Sequence, residues 1–172
     1  DLTVFDRLAY HSAHLIHDMR LEESEPALEA VRAGDYDNEH VRTLINTIIG
    51  LAGTVGGFGG VRARESGAHS VHDGLTRVAG SAATMHGEKV AYGVLVQLLV
   101  EGKESEVQAL LPFYATIGLP HSWRQMNLEF TDENLQTVAD FAAGPDSPFR
   151  AAVPGVTPAQ IIEAMRTLET LA

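Results

Sequence analysis

The stretch EKVAYGVLVQLLVE (88–101) decides the fold. From Val90 to Val100 its one polar residue is Gln97, so a helix here is apolar nearly all round. Such a helix belongs at the centre of a domain, with other helices packed about it. Working outward from it, Glu104 to Tyr114 reads as a following helix, with Val107, Leu110, Leu111 and Tyr114 facing inward. Pro112 is expected to bend or shorten that helix. Thr131 is placed to cap a further helix, with Asp132 and Glu133 suited to its positive end. The last helix has Thr157 as cap and Pro158 at the first helical position, followed by Ile161, Ile162, Met165 and Leu168.

Toward the N-terminus, a helix is predicted over about 62–78. Before it lies GTVGGFGG (53–60), too glycine-rich to continue a helix. A helix over 38–52 places Val41, Leu44, Ile45 and Ile48 on one face, and another runs from Phe5 to about Arg32. Pro26 is expected to break that first helix or start a second. Strand-like alternation is essentially absent. The pattern predicts an all-α, helical bundle-like fold of six to eight helices, a single domain over 1–172 with no internal repeat.

Composition narrows the function. The chain has 172 residues and 18.5 kDa, enough for a sizeable core. Twelve Lys and Arg against twenty-three Asp and Glu give a formal charge of -11. That balance repels phosphate backbones and anionic lipid, so neither a nucleic acid nor a membrane surface is the expected partner. There is no cysteine, which removes disulfides, thiolate metal sites and cysteine nucleophiles. No signal peptide is read at Asp1, and a cytoplasmic location is expected. The uncharged part of 43–61 approaches a membrane span in length, but six glycines, Asn46, Thr47 and Thr54 weaken it. It reads as a buried helix running into a loop.

Three groups of residues invite chemistry. The run GGFGG, followed by Val61-Arg62, lacks the Gly-Lys-Ser/Thr of a phosphate loop and does not fit the strand, spaced glycines, helix and later acid that a dinucleotide site needs together. It reads as a tight turn where helices approach closely. His11, His14 and His17 stand at successive i, i+3 steps, so their row drifts across a helix face and reads as a polar stripe. The segment from Glu65 to Gly93 carries more. AHSVHDGL (68–75) sets His69 and His72 one turn apart, with Glu65 and Asp73 each four residues from His69. HGEKVAYG (86–93) brings His86 to the start of the apolar helix. If these helices form a hairpin, His69 and His86 converge. Neutral imidazole is the commonest metal ligand, and two histidines are half a zinc site. The competing reading makes His69 a packed core histidine and His86 a helix cap.

At these residues the chain resembles the glycerol dehydrogenase-like branch of the iron-containing alcohol dehydrogenase superfamily. AHSVHDGL, HGEKVAYGVLVQLL, the preceding GTVGGFGG, GLP (118–120) and VTPAQIIEAM (156–165) carry the resemblance, from about Asn38 onward. It implies the C-terminal, all-α, metal-binding domain of such an enzyme, which is normally preceded by a nucleotide-binding α/β domain. It further implies a divalent metal, zinc before iron, with His69 and His86 as ligands and His72 near the substrate cleft. The metal would polarise a substrate hydroxyl and favour hydride transfer to NAD or NADP. No residue is assigned a catalytic role of its own.

The chain also departs from the pattern. The nucleotide-binding domain is not within these residues, so NAD(P) binding and redox turnover are not expected of this chain alone. The resemblance also implies an aspartate ligand on a Gly-Asp segment at the start of the helical domain, and none is assigned here, since Asp1 lacks the preceding Gly and falls downstream of that segment. Glu65 or Asp73 is then the candidate for an extra carboxylate ligand, against an ordinary i, i+4 surface pairing with His69. His121 follows GLP where a small apolar or hydroxyl residue is common. The expected substrate is a small polyol or hydroxy acid, and the expected assembly a homo-oligomer or a complex with the domain not present. The rival reading is a free-standing helical protein, either a non-redox metal-dependent enzyme or a non-catalytic binding module.

Overall fold

The computed structural model describes residues 2–171. Among them are nine α-helices and no strand, so the all-α expectation holds. Where the pattern draws one domain, the chain divides into two compact units, one through Arg64 and one from Glu65 onward.

The first unit opens with α1 (Val4–Arg32), fastened at its start by a capping box. Thr3 Oγ1 accepts the Asp6 N–H at 3.1 Å, and Asp6 Oδ2 accepts the Thr3 N–H at 2.8 Å. Pro26 does not break α1, contrary to expectation. A proline removes one backbone bond. Here the next turn is anchored, with buried Ala27 and Ala30 packed with Val41 and Leu44 of α2 (Glu39–Ile45).

The run GTVGGFGG does not end the helix either. After α2 the backbone passes through one π-helical segment, Asn46–Leu51, into α3 (Ala52–Gly59). Helix packing overrides propensity at Gly59, where a Cβ would come within 3.0 Å of Ala9 Cβ on α1 and 2.3 Å of Ala63 Cβ. Thr47 and Thr54 donate their hydroxyls back to the carbonyls of Thr43 and Leu51. The close helix approach read from the glycines is present; the turn is not. Nor is this segment buried. Ile45, Ile48, Ile49 and Phe58 are exposed, and Glu39–Gly59 is long and apolar enough to cross a membrane by length and composition alone.

The second unit holds α4 (Gly67–Leu75), α5 (His86–Val100), α6 (Glu104–Ile117), α7 (Asp132–Ala142), the short α8 (Phe149–Ala152) and α9 (Pro158–Thr170). No residue from Val90 to Val100 is exposed, as the apolar run demands. Tyr92, Leu95 and Val96 of α5 join Val71, Leu75, Trp123, Phe149 and Met165 in the core. Trp123 Nε1 donates to the Tyr92 hydroxyl at 3.0 Å. Burial pushes the Tyr92 hydroxyl's pKa well above its ordinary value, and this donated bond pulls it partly back. Pro112 lies inside α6 without ending it. Thr131 and Thr157 both cap as expected, accepting the N–H of Asn134 and of Gln160.

Helix α4 is shorter than the predicted 62–78, because Ser66 is extended (φ -149°, ψ -163°) and the helix begins only at Gly67. It packs very closely against its neighbours. A Cβ on Gly93 of α5 would lie 2.3 Å from the Ala68 carbonyl oxygen, and one on Gly74 would lie 2.8 Å from that of Val138 on α7.

Candidate metal centre

Helix α4 carries His69 and His72, and His86 is the first residue of α5. Three devices fix that hairpin. Glu88 Oε2 accepts the Met85 N–H at 2.7 Å, which starts α5 at His86. Lys89 is buried, and its Nζ donates to the Ser81 carbonyl at 3.0 Å, holding the short turn between the helices. Gln97 reaches across from α5, its Oε1 accepting from Ser66 Oγ at 3.1 Å and from the Ala68 N–H at 3.0 Å. A glutamine on the neighbouring helix thus serves the start of α4, where Ser66 itself makes no side-chain cap.

The hairpin brings three imidazoles together. The rings of His69 and His86 stand 5.8 Å apart, centroid to centroid, at an interplanar angle of 49°. Those of His72 and His86 stand 4.3 Å apart at 65°, with His72 Nε2 3.0 Å from His86 Nδ1. His72 Nδ1 lies 2.7 Å from Asp73 Oδ1; the His72 side chain is 12% exposed and that of Asp73 54%. His69 is half-buried and His86 exposed. Two imidazoles on a tetrahedral zinc, bound at about 2.0–2.1 Å, have centroids about 5 Å apart. The His69 and His86 centroids, 5.8 Å apart, stand near that separation.

The carboxylates stand elsewhere. Asp73 is spent on His72, and it also lines a cavity of about 390 Å³ with Ser70, Asp140 and Phe141. Glu65 is exposed and precedes α4, so it is not on a helical stripe with His69. Among the described residues no group of three or more His, Asp or Glu is placed to hold a metal ion. Asp1 lies outside the described residues. In the first unit, His11, His14 and His17 are all exposed, with Tyr10 edge-on to His14 at 4.4 Å and His17 paired with Asp18 at 3.2 Å. His121 lines a separate cavity of about 370 Å³ beside Glu88 and Gln125.

Spacing alone does not find Gln97, Lys89 or the Asp73–His72 bond. A signal for Gln97 is present in its isolation, because one polar residue in an apolar helix must bond to something across the packing.

An all-helical chain with facing histidines on one hairpin is the class of protein this geometry defines. It is 35% identical to an uncharacterised oxidoreductase from Synechocystis sp. over 94% of this chain and 43% of the relative. It is 33% identical to glycerol dehydrogenase from Pseudomonas putida over 95% of this chain and 44% of that enzyme. A probable glycerol dehydrogenase from Sinorhizobium meliloti superposes with a TM-score of 0.87 at 26% identity, over 96% of this chain and 46% of that one. No family model matches. The chain is homologous to the C-terminal part of glycerol dehydrogenases and related oxidoreductases. It spans less than half the length of these relatives.

Proposed function

We propose that this chain is the metal-binding helical part of a metal-dependent dehydrogenase acting on a small polyol or hydroxy acid. His69 and His86 would hold a divalent cation, zinc before iron, and NAD or NADP would be bound by a nucleotide-binding part outside these residues. The observation that carries the reading is the 5.8 Å approach of His69 and His86 on consecutive helices, in a homologue of glycerol dehydrogenases. When bound, the metal supplies Lewis acidity that lowers the pKa of a coordinated hydroxyl. The protein's own contribution is rigidity. Gln97, Lys89 and the Gly93–Ala68 contact hold the two ligand-bearing helices in one register, and in this reading His72 would border the substrate cleft.

The chain alone carries out no redox turnover in this reading. The enzyme is cytoplasmic and works as a homo-oligomer or with its nucleotide-binding part. Its acidity disfavours nucleic acid, and the glycines and hydroxyl-bearing residues of 39–59 favour protein contact over lipid.

Titration of the chain with zinc tests the site. His69→Ala and His86→Ala should each weaken binding by more than about tenfold, while His14→Ala leaves it unchanged. Equal loss from all three would mean unspecific histidine binding and end the reading. Incubation with NAD and glycerol should yield no NADH from the chain alone; NADH formation would overturn the assignment of cofactor binding to residues outside it.

A second reading is favoured by one observation, the lack of a third ligand grouped with these histidines among the described residues. It is a free-standing helical protein, non-redox and metal-dependent or simply a binding module. A zinc-free chain with no nucleotide-binding domain encoded beside it would select it.

A further inference from the structure

Asp73, His72 and His86 form one unbroken chain of polar contacts, at 2.7 Å and 3.0 Å. Its direction follows from the chemistry of its first member. A carboxylate only accepts hydrogen bonds, so the hydrogen between Asp73 Oδ1 and His72 Nδ1 belongs to His72. A neutral imidazole has one N–H, which leaves His72 Nε2 with its lone pair facing His86 Nδ1. That second contact then has a single polarity, with His86 Nδ1–H donating to His72 Nε2. The remaining nitrogen of His86, Nε2, is left as an unshared lone pair.

We infer that Asp73 is a positioning residue, which sets the proton position on His86 through His72 and thereby frees His86 Nε2. Histidine in water favours the opposite form, with the hydrogen on Nε2, so the arrangement needs a cause. The environment supplies one. The His72 side chain is only 12% exposed, and both of its ring nitrogens are engaged. Asp73 lies on the solvent side of the chain, 54% exposed, and reaches neither His69 nor His86 in any recorded bond. This extends the metal-site proposal, resting on it for what the freed nitrogen is used for, but the proton order stands on its own geometry. A carboxylate that fixes a histidine's tautomer from outside a metal site is a recurrent arrangement, and losing one weakens metal binding on the order of 10–100-fold.

The test is nitrogen-15 NMR of the histidine rings in the metal-free chain at about pH 8, where imidazole is neutral. In the parent protein, Nδ1 of both His72 and His86 should carry the hydrogen and both Nε2 atoms should show lone-pair shifts. His86 found with its hydrogen on Nε2 would overturn the proposal without any variant. In Asp73→Ala the two rings should revert toward the Nε2–H form, and Asp73→Glu, which keeps a carboxylate, should restore the parent pattern. An unchanged pattern in Asp73→Ala would also overturn it. Zinc affinity read on the same proteins should fall on the order of tenfold in Asp73→Ala and recover in Asp73→Glu. Parent tautomers as assigned with no zinc binding would sink the metal reading while supporting the proton order.

Discussion

Gln97 Oε1 on α5 accepts the backbone N–H of Ala68 on α4 at 3.0 Å. The same oxygen takes the Ser66 hydroxyl, and the amide nitrogen donates onward to Glu101 at 2.7 Å. One side chain therefore supplies the cap that α4 lacks and ties it to the helix that begins with His86. Since His69 follows Ala68 directly, the orientation of the first candidate ligand depends on this bond.

Gln97→Leu keeps the bulk and removes the acceptor. Two donors at the start of α4 lose their partner, which costs about 1–2 kcal/mol by analogy with lost caps and unsatisfied donors. Urea denaturation should show that loss, and zinc affinity should fall with it. Unchanged stability would mean the start of α4 is satisfied by solvent.

Two glycines on α5, six residues apart, should respond in opposite directions to alanine. At Gly93 the new Cβ meets the Ala68 carbonyl oxygen at 2.3 Å, a backbone atom that cannot swing aside. Helices α4 and α5 must then separate, at a cost of about 1–3 kcal/mol or more. At Gly87 nothing lies within 4 Å. There alanine should stabilise by about 0.4–1 kcal/mol, by restricting the unfolded chain. Denaturation midpoints of the two variants against the parent check the pair. Similar losses in both would mean the helix contact is looser than described.

These cases show what kind of information the sequence carries. The apolar run of α5 and the Thr131 and Thr157 caps were legible because each depends on residues within one or two turns. Pro26 and the glycines of 53–60 misled because their effect depends on distant partners: Val41 and Leu44 anchor the turn after Pro26, and Ala9 receives Gly59. At the site, the resemblance and the hairpin together pointed to His69 and His86, whose ring centroids lie 5.8 Å apart. Glu65 entered through a helical stripe that the extended Ser66 removes. The Asp73–His72 bond joins neighbours in sequence, but i, i+1 side chains do not ordinarily face one another on a helix, so periodicity gave no hint of it.

Acid should act on this fold partly through Glu101. Burial raises its pKa, but hydrogen bonds from Lys103 and Gln97, with the Lys103 charge, outweigh that and hold it below the ordinary value of 4.5. Lys103 Nζ sits 2.7 Å from Glu101 Oε2, and its own pKa is raised in return, chiefly by that hydrogen bond. A depressed carboxyl pKa means the unfolded chain binds the proton more tightly. Its stabilising contribution is therefore present above 4.5 and is lost as pH falls through the folded value. Glu101→Gln should be less stable than the parent near pH 7, and the gap should narrow near pH 3. A gap that stays constant between those conditions would show that Glu101 is not a source of acid sensitivity.

Among the described residues, the buried apolar side chains of the first unit are Ala9, Ala27, Ala30 and Val41. Its buried apolar cluster is Ala27, Ala30 and Val41, with Leu44 partly covered, while Ile45, Ile48 and Ile49 lie in solvent, Ile49 at 74% exposure. Apolar surface left in water on this scale drives association. The purified chain should therefore self-associate in a concentration-dependent way. Ile48→Lys with Ile49→Lys should shift sedimentation toward the monomer. The same segment meets the length and composition of a membrane crossing, so flotation with lipid vesicles is the necessary companion measurement. Its glycines and α1's close approach at Gly59 favour a protein partner, and no vesicle binding is expected. A chain that stays monomeric yet floats with lipid would reverse that assignment.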